Sequence, residues 1–174
     1  MSVIPIRLKP ISMHVNADRR LAFQVLTAFG AAAGEEGAAS RVVSREGDRL
    51  LVEFHTPGRG LLGRERVFRT LERVSLREPD LIEFDGVEGP LALLHERIIL
   101  EADDGCTLVP HESTFGLRGW LLGWAVGALV IRFVLARLLR DHGDELRQAI
   151  EDRASRSRVF PRGSCARRAE RRLR

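Results

Sequence analysis

Two hydrophobic periods divide the chain. Between Ile6 and Val15, the residues Ile11, Met13 and Val15 alternate with Ser12, His14 and Asn16, the period of two that marks a strand with one buried face. The period then lengthens: Leu21, Val25, Leu26 and Phe29 recur at helical spacing behind Asn16 or Asp18 as N-cap, and Gly30 supplies a stop. Ala31 to Ala39 reads as a second short helix or a loose connection. Strand-like runs return at Arg41–Arg45, Leu50–Thr56, Arg64–Leu76, Leu81–Phe84, Leu91–Glu101 and Thr107–Leu117. Turn signals such as Glu46-Gly47-Asp48, Glu78-Pro79-Asp80 and Asp103-Asp104-Gly105 separate them. Links this short allow only antiparallel neighbours, so these runs predict an up-and-down meander that the first strand joins at an edge.

The last element is the longest. From Trp120 to Ile150 the helical period puts Trp124, Ala128, Ile131, Leu135, Leu138, His142, Leu146 and Ala149 on one stripe. Arg137, Arg140, Asp141, Asp144 and Arg147 form a solvated back in the second half, whereas Leu122, Val126, Leu129, Val130 and Phe133 make the first half apolar on that side too. An apolar patch of that extent needs cover from the fold, a partner, a second copy of the chain or a membrane surface. A membrane span is disfavoured by Arg132 and Arg137, each costing roughly 2.5 to 3.5 kcal/mol near a bilayer centre. An antiparallel sheet buries one face, and this helix is the element long enough to cover it. The fold class expected is therefore α+β: a strongly curved antiparallel meander of about seven strands, two short helices after strand 1 and a long C-terminal helix over an apolar interior.

Charge sharpens the domain picture. The formal charge of +4 hides a split, because residues 153–174 carry nine Arg against the single acid Glu170, leaving residues 1–152 net acidic. The expected organisation is one domain over 1–152 and an Arg-rich, disordered tail over 153–174. The basic pI belongs to the tail, so no specific nucleic-acid partner is expected for the domain. Cys106 and Cys165 are too few and too oddly placed for a disulfide framework, and the N-terminus lacks the order of a signal peptide. Both point to the cytoplasm, with peripheral membrane contact open through the tail or through Leu61 and Leu62 in the Gly58–Gly63 connection.

Local wording carries a resemblance. The opening "ISMHVNADRRLAFQVLTAFG", the hairpin "PDLIEFDGVEG" and the pair of strands "LHERIILEADDGCTLVPHESTF", in this element order, resemble the START-like helix-grip superfamily, also called SRPBCC or polyketide cyclase/dehydrase and lipid transport proteins. The resemblance covers residues 6 to about 152. It implies a cavity between sheet and C-terminal helix in which members hold sterols, phospholipids, quinones, plant hormones or polyketides; a minority are enzymes.

The residues that could act in such a cavity follow from their faces. Trp124, Ala128, Ile131, Leu135 and His142 on the helix stripe, with Phe115 on the last strand, are the expected ligand-lining positions. Arg132 lies near the stripe and away from the other charges, where a guanidinium could grip an anionic group on a greasy ligand. Apolar neighbours two residues away draw Glu96 inward on its strand and His111 inward on the next, a pair able to orient a ligand or move a proton. The first reading is a carrier or binder of a hydrophobic small molecule such as a lipid, quinone or polyketide-like compound. The alternatives are a polyketide cyclase/dehydrase-type enzyme using Glu96, His111 and Arg132, and an interaction protein, such as a homodimer, using the apolar outer face of the helix. The scattered His and Cys make no metal site, and the glycines at 58, 60 and 63 lack the Lys-Ser or Lys-Thr of a phosphate loop, so no metal and no cofactor is expected.

Overall fold

The computed structural model describes residues 3–30, 39–59, 65–117 and 136–157. Within them lie nine strands: β1 (Ile4–Arg7), β2 (Ile11–Val15), β3 (Ala39–Glu46), β4 (Arg49–Arg59), β5 (Glu65–Arg77), β6 (Leu81–Glu88), β7 (Leu93–Ile99), β8 (Glu101–Asp103) and β9 (Cys106–Leu117). Two helices accompany them, α1 (Arg19–Leu26) and α2 (Ala136–Arg156). All strand pairings are antiparallel in one sheet of order β1-β9-β7-β6-β5-β4-β3, with β2 and β8 also on β9. The meander from β3 to β9 is the one the turn signals predict.

The sheet has more strands than the sequence pattern suggests because two expected strands are broken. The expected Ile6–Val15 strand is split into β1 and β2. Arg7 lies opposite Thr114 and Ile11 opposite His111. Three residues, Leu8 to Pro10, therefore face two on β9, and this extra residue next to a proline without an N–H breaks the ladder. The expected Leu91–Glu101 strand ends at Ile99, where the Leu100 amide leaves the ladder to donate to the Asp80 carbonyl at 2.8 Å, and β8 begins afresh. Asp18 is the N-cap of α1, its side chain accepting from the Arg20 amide at 2.8 Å.

One face of the sheet is covered. Val15, Val52, Val74, Ile82, Ile98 and Val109 pack with Leu21, Ala22 and Leu26 of α1 and with Ile150 and Ala154 of α2. A smaller cluster joins Leu8 and Phe115 to Leu94 and Leu139 further along the same face. Among the described residues no helix is long and apolar enough to cross a membrane. Cys106, expected outside any disulfide framework, is buried and disulfide-bonded; a cysteine count that excludes a framework leaves a single bridge open.

Candidate functional site

Strand parity sorts the polar residues. On β7 the even positions Leu94, Glu96 and Ile98 share a face, and on β9 the odd positions Val109, His111, Ser113 and Phe115 do; their apolar members belong to the two clusters beneath the helices. Glu96 and His111 thus face inward, as their apolar neighbours at i±2 suggest. His111 Nε2 lies 3.5 Å from Glu96 Oε2 and 3.3 Å from Ser113 Oγ. Apolar residues flank the group on both sides, Ile98 and Val109 toward α1 and Leu94 and Phe115 toward Leu139. Although the face is covered, the His111 and Glu96 side chains keep 19% and 18% of their surface accessible.

Glu72 on β5 completes the group. It lies opposite Val52 on the same buried face and is 9% exposed, with the Thr70 hydroxyl donating to its Oε1 at 2.7 Å. Burial, reinforced by the negative charge of Glu96 and only partly offset by the Thr70 hydrogen bond, pushes its carboxyl up to about 7. The interior therefore holds one carboxyl group poised to carry a proton near neutrality beside a carboxylate–imidazole pair. Such a set can donate to, accept from or shuttle a proton on a bound molecule. Glu72, Thr70 and Ser113 were not singled out by sequence reasoning. The signal was present: Phe68, Thr70, Glu72, Val74 and Leu76 alternate with Arg69, Leu71, Arg73 and Ser75, but arginines and glutamates on both sides of the run blur the stripe.

The outward face carries ion pairs. His95 Nδ1 lies 2.8 Å from Asp85, and Arg97 donates to Glu83 at 3.1 Å and Glu112 at 3.3 Å. A groove of about 380 Å³ opens beside the β1–β2 break, where outward Arg7, His95, Arg97 and Glu112 and inward Leu8 and Ser113 all line it. Of its polar walls, Arg97 and Glu112 are committed to each other. On β4, Glu53 takes Arg69 and Arg41 and sits 3.4 Å from His55. The Arg69 hydrogen bond, aided by the charges of Arg69, Arg41 and His55 and opposed by partial burial, holds its carboxyl below the usual range.

The expected helix positions fare differently. Trp124, Ala128, Ile131, Arg132 and Leu135 lie outside the described residues, as do Leu61 and Leu62, most of the expected Ala31–Ala39 element and the tail beyond Ser157. Phe115 is buried on the inner face. His142 is a correction: its side chain is 53% exposed and lies 3.7 Å from Glu145. The buried side of α2 runs instead through Leu139, Gly143, Leu146, Ile150 and Ala154. Gly143, absent from any hydrophobic count, belongs to that side because it faces the Met13 sulfur, which a Cβ there would meet at 4.0 Å. Among the described residues no three His, Cys, Asp or Glu side chains converge to hold a metal ion.

No protein-family model and no curated protein matches this chain. Solved structures do. A START superfamily protein from Mycobacterium smegmatis superposes with a TM-score of 0.67 at 11% identity over 84% of this chain and 98% of its own. The Zhui aromatase/cyclase from Streptomyces sp. R1128 gives 0.66 at 15% over 88% and 95%, and TTHA0849 from Thermus thermophilus gives 0.63 at 18% over 88% and 100%. Likeness at this identity establishes a shared fold and leaves activity to the site.

Proposed function

On this START-like helix-grip fold, we propose that the chain binds an apolar small molecule between the sheet and its C-terminal helix, with the polar group of the guest on Glu72, Glu96 and His111. The observation that carries the reading is the pairing of Glu96 with His111, still partly accessible, on a covered face between two apolar clusters. Ionisable groups are rarely kept on such a face without a task, because each loses hydration there. The nearby structures include a START protein and an aromatase/cyclase, which agrees with a hydrophobic guest and leaves its identity to experiment. Native mass spectrometry of gently purified protein tests the reading. A co-purifying apolar molecule, or uptake of a neutral dye such as Nile red that is weakened by Ile98→Glu, is expected. Protein that stays ligand-free and takes up no apolar probe contradicts it.

The 3.5 Å approach of His111 to Glu96 favours a second reading, acid/base catalysis of an aldol-type cyclisation or dehydration in the same space. Glu96→Gln and His111→Ala would then abolish cyclisation of a polyketone probe while sparing its uptake. Unchanged turnover in both variants removes the catalytic reading and leaves the carrier.

A further inference from the structure

We propose that the interior selects its guest by charge: it accepts an apolar molecule that presents a neutral carbonyl oxygen to Glu72 and turns away one that carries a carboxylate or phosphate. The inference rests on the interior being the ligand site, and it concerns which guests that site can hold.

The inward polar surface among the described residues is acidic. Glu72 and Glu96 bring two carboxyl groups, His111 one imidazole already engaged by Glu96, and Thr70 and Ser113 two hydroxyls. Four arginines of the same strands point the other way, and Arg66, which shares the parity of Glu72, stands six residues away at the start of β5. Arg69, Arg73 and Arg77 are odd positions on β5, where Glu72 and Val74 show the even ones to be inward; Arg97 is odd on β7, where Glu96 and Ile98 are inward. Two of these guanidiniums are occupied on the outer face, Arg69 by Glu53 and Arg97 by Glu83 and Glu112. An anionic guest stripped of water at this surface meets the Glu96 carboxylate and none of those four guanidiniums, so its charge goes uncompensated there.

A neutral carbonyl meets a donor. Because the Thr70 hydroxyl already donates to Glu72 Oε1 at 2.7 Å, a proton on this carboxyl belongs on Oε2, the oxygen left to bond a guest. Burial keeps that proton in place to about neutrality. The contact is therefore made below pH 7 and lost above it, as Oε2 turns from donor to acceptor.

Equilibrium dialysis of the full chain against 2-acetylnaphthalene, 2-naphthoate and 2-naphthylmethylammonium separates the possibilities. We expect the ketone to bind about tenfold or more tighter than the carboxylate at pH 6.5, and its own affinity to fall about tenfold between pH 6 and pH 8.5, the worth of one buried hydrogen bond. Glu72→Gln, which keeps the shape and a donor, should bind the ketone with a flat pH profile. Glu96→Gln should narrow the gap between ketone and carboxylate. Equal or tighter binding of 2-naphthoate would place a cation such as Arg132 in the site and overturn the proposal, as would preferred binding of the ammonium at pH 6.5 or an unchanged pH slope in Glu72→Gln. If none of the three binds, the ligand-site reading itself fails, an outcome distinct from binding without selectivity.

Discussion

Glu72 and Glu53 stand on opposite faces of neighbouring strands and titrate in opposite directions. Glu53 is held below its usual range by Arg69 and Arg41, so what it contributes is present above its unfolded pKa and lost as pH falls through its lowered folded value. Glu72 is raised from 4.5 to about 7; its folded form binds the proton more tightly than the unfolded chain, so the associated stability is full below 4.5 and is lost as pH rises to neutrality. The span corresponds to about 3 kcal/mol, so Glu72→Gln should raise the unfolding free energy at pH 8 by roughly 2 to 3 kcal/mol and change it little at pH 4.5. Urea denaturation of both proteins at the two pH values checks this, and equal differences at both would show that Glu72 is not desolvated as described. Residues of this kind were legible only where their neighbours were clear. Ile98 and Leu94 beside Glu96, and Val109 and Phe115 beside His111, tip each inward without settling the register, whereas Glu72 sits in a run where charge occurs on both faces.

At the scale of elements, a correct period still left the rotation of the last helix open. In the expected Trp120–Ile150 pattern apolar residues fall on every side of the first half, so many stripes fit equally; in the described helix, packing against β2 and α1 selects the one through Gly143, Ile150 and Ala154. Ile150 is fully buried, so Ile150→Ala should cost about 2 to 5 kcal/mol, whereas His142→Ala should stay within about 0.5 kcal/mol of the parent. Thermal melts of both variants would report it; the reverse order would restore the stripe through His142. The sheet edge carries a second constraint invisible to periodicity. A Cβ at Gly116 would meet Val3 Cγ1 at 2.5 Å and Leu93 Cβ at 2.8 Å, so β1 and β7 close on β9 only around a glycine. Gly116→Ala should destabilise by about 1 to 3 kcal/mol, seen as a lowered urea midpoint with faster amide exchange in β1. Exchange unchanged at β1 would mean the strand is held elsewhere. The breaks at Leu8–Pro10 and Leu100 were hidden for a similar reason: alternation continues through them, and only the register against β9 and the bond to Asp80 reveals them.

For the whole molecule, the order of elements was the legible part, because short turns leave an antiparallel meander few ways to be wrong and an uncovered sheet face demands the one long helix. What the interior holds was less legible, since it depends on side chains from β5, β7 and β9 that lie far apart along the chain and meet only across the sheet. The account stands on that inner face being where an apolar guest sits. Chemical-shift mapping of isotope-labelled protein titrated with 2-acetylnaphthalene tests it most directly. Perturbations should concentrate on Leu94, Glu96, Ile98, His111 and Phe115, with the outward His95, Arg97 and Glu112 unmoved; shifts confined to those outward residues, or a spectrum unchanged at saturating probe, would contradict it.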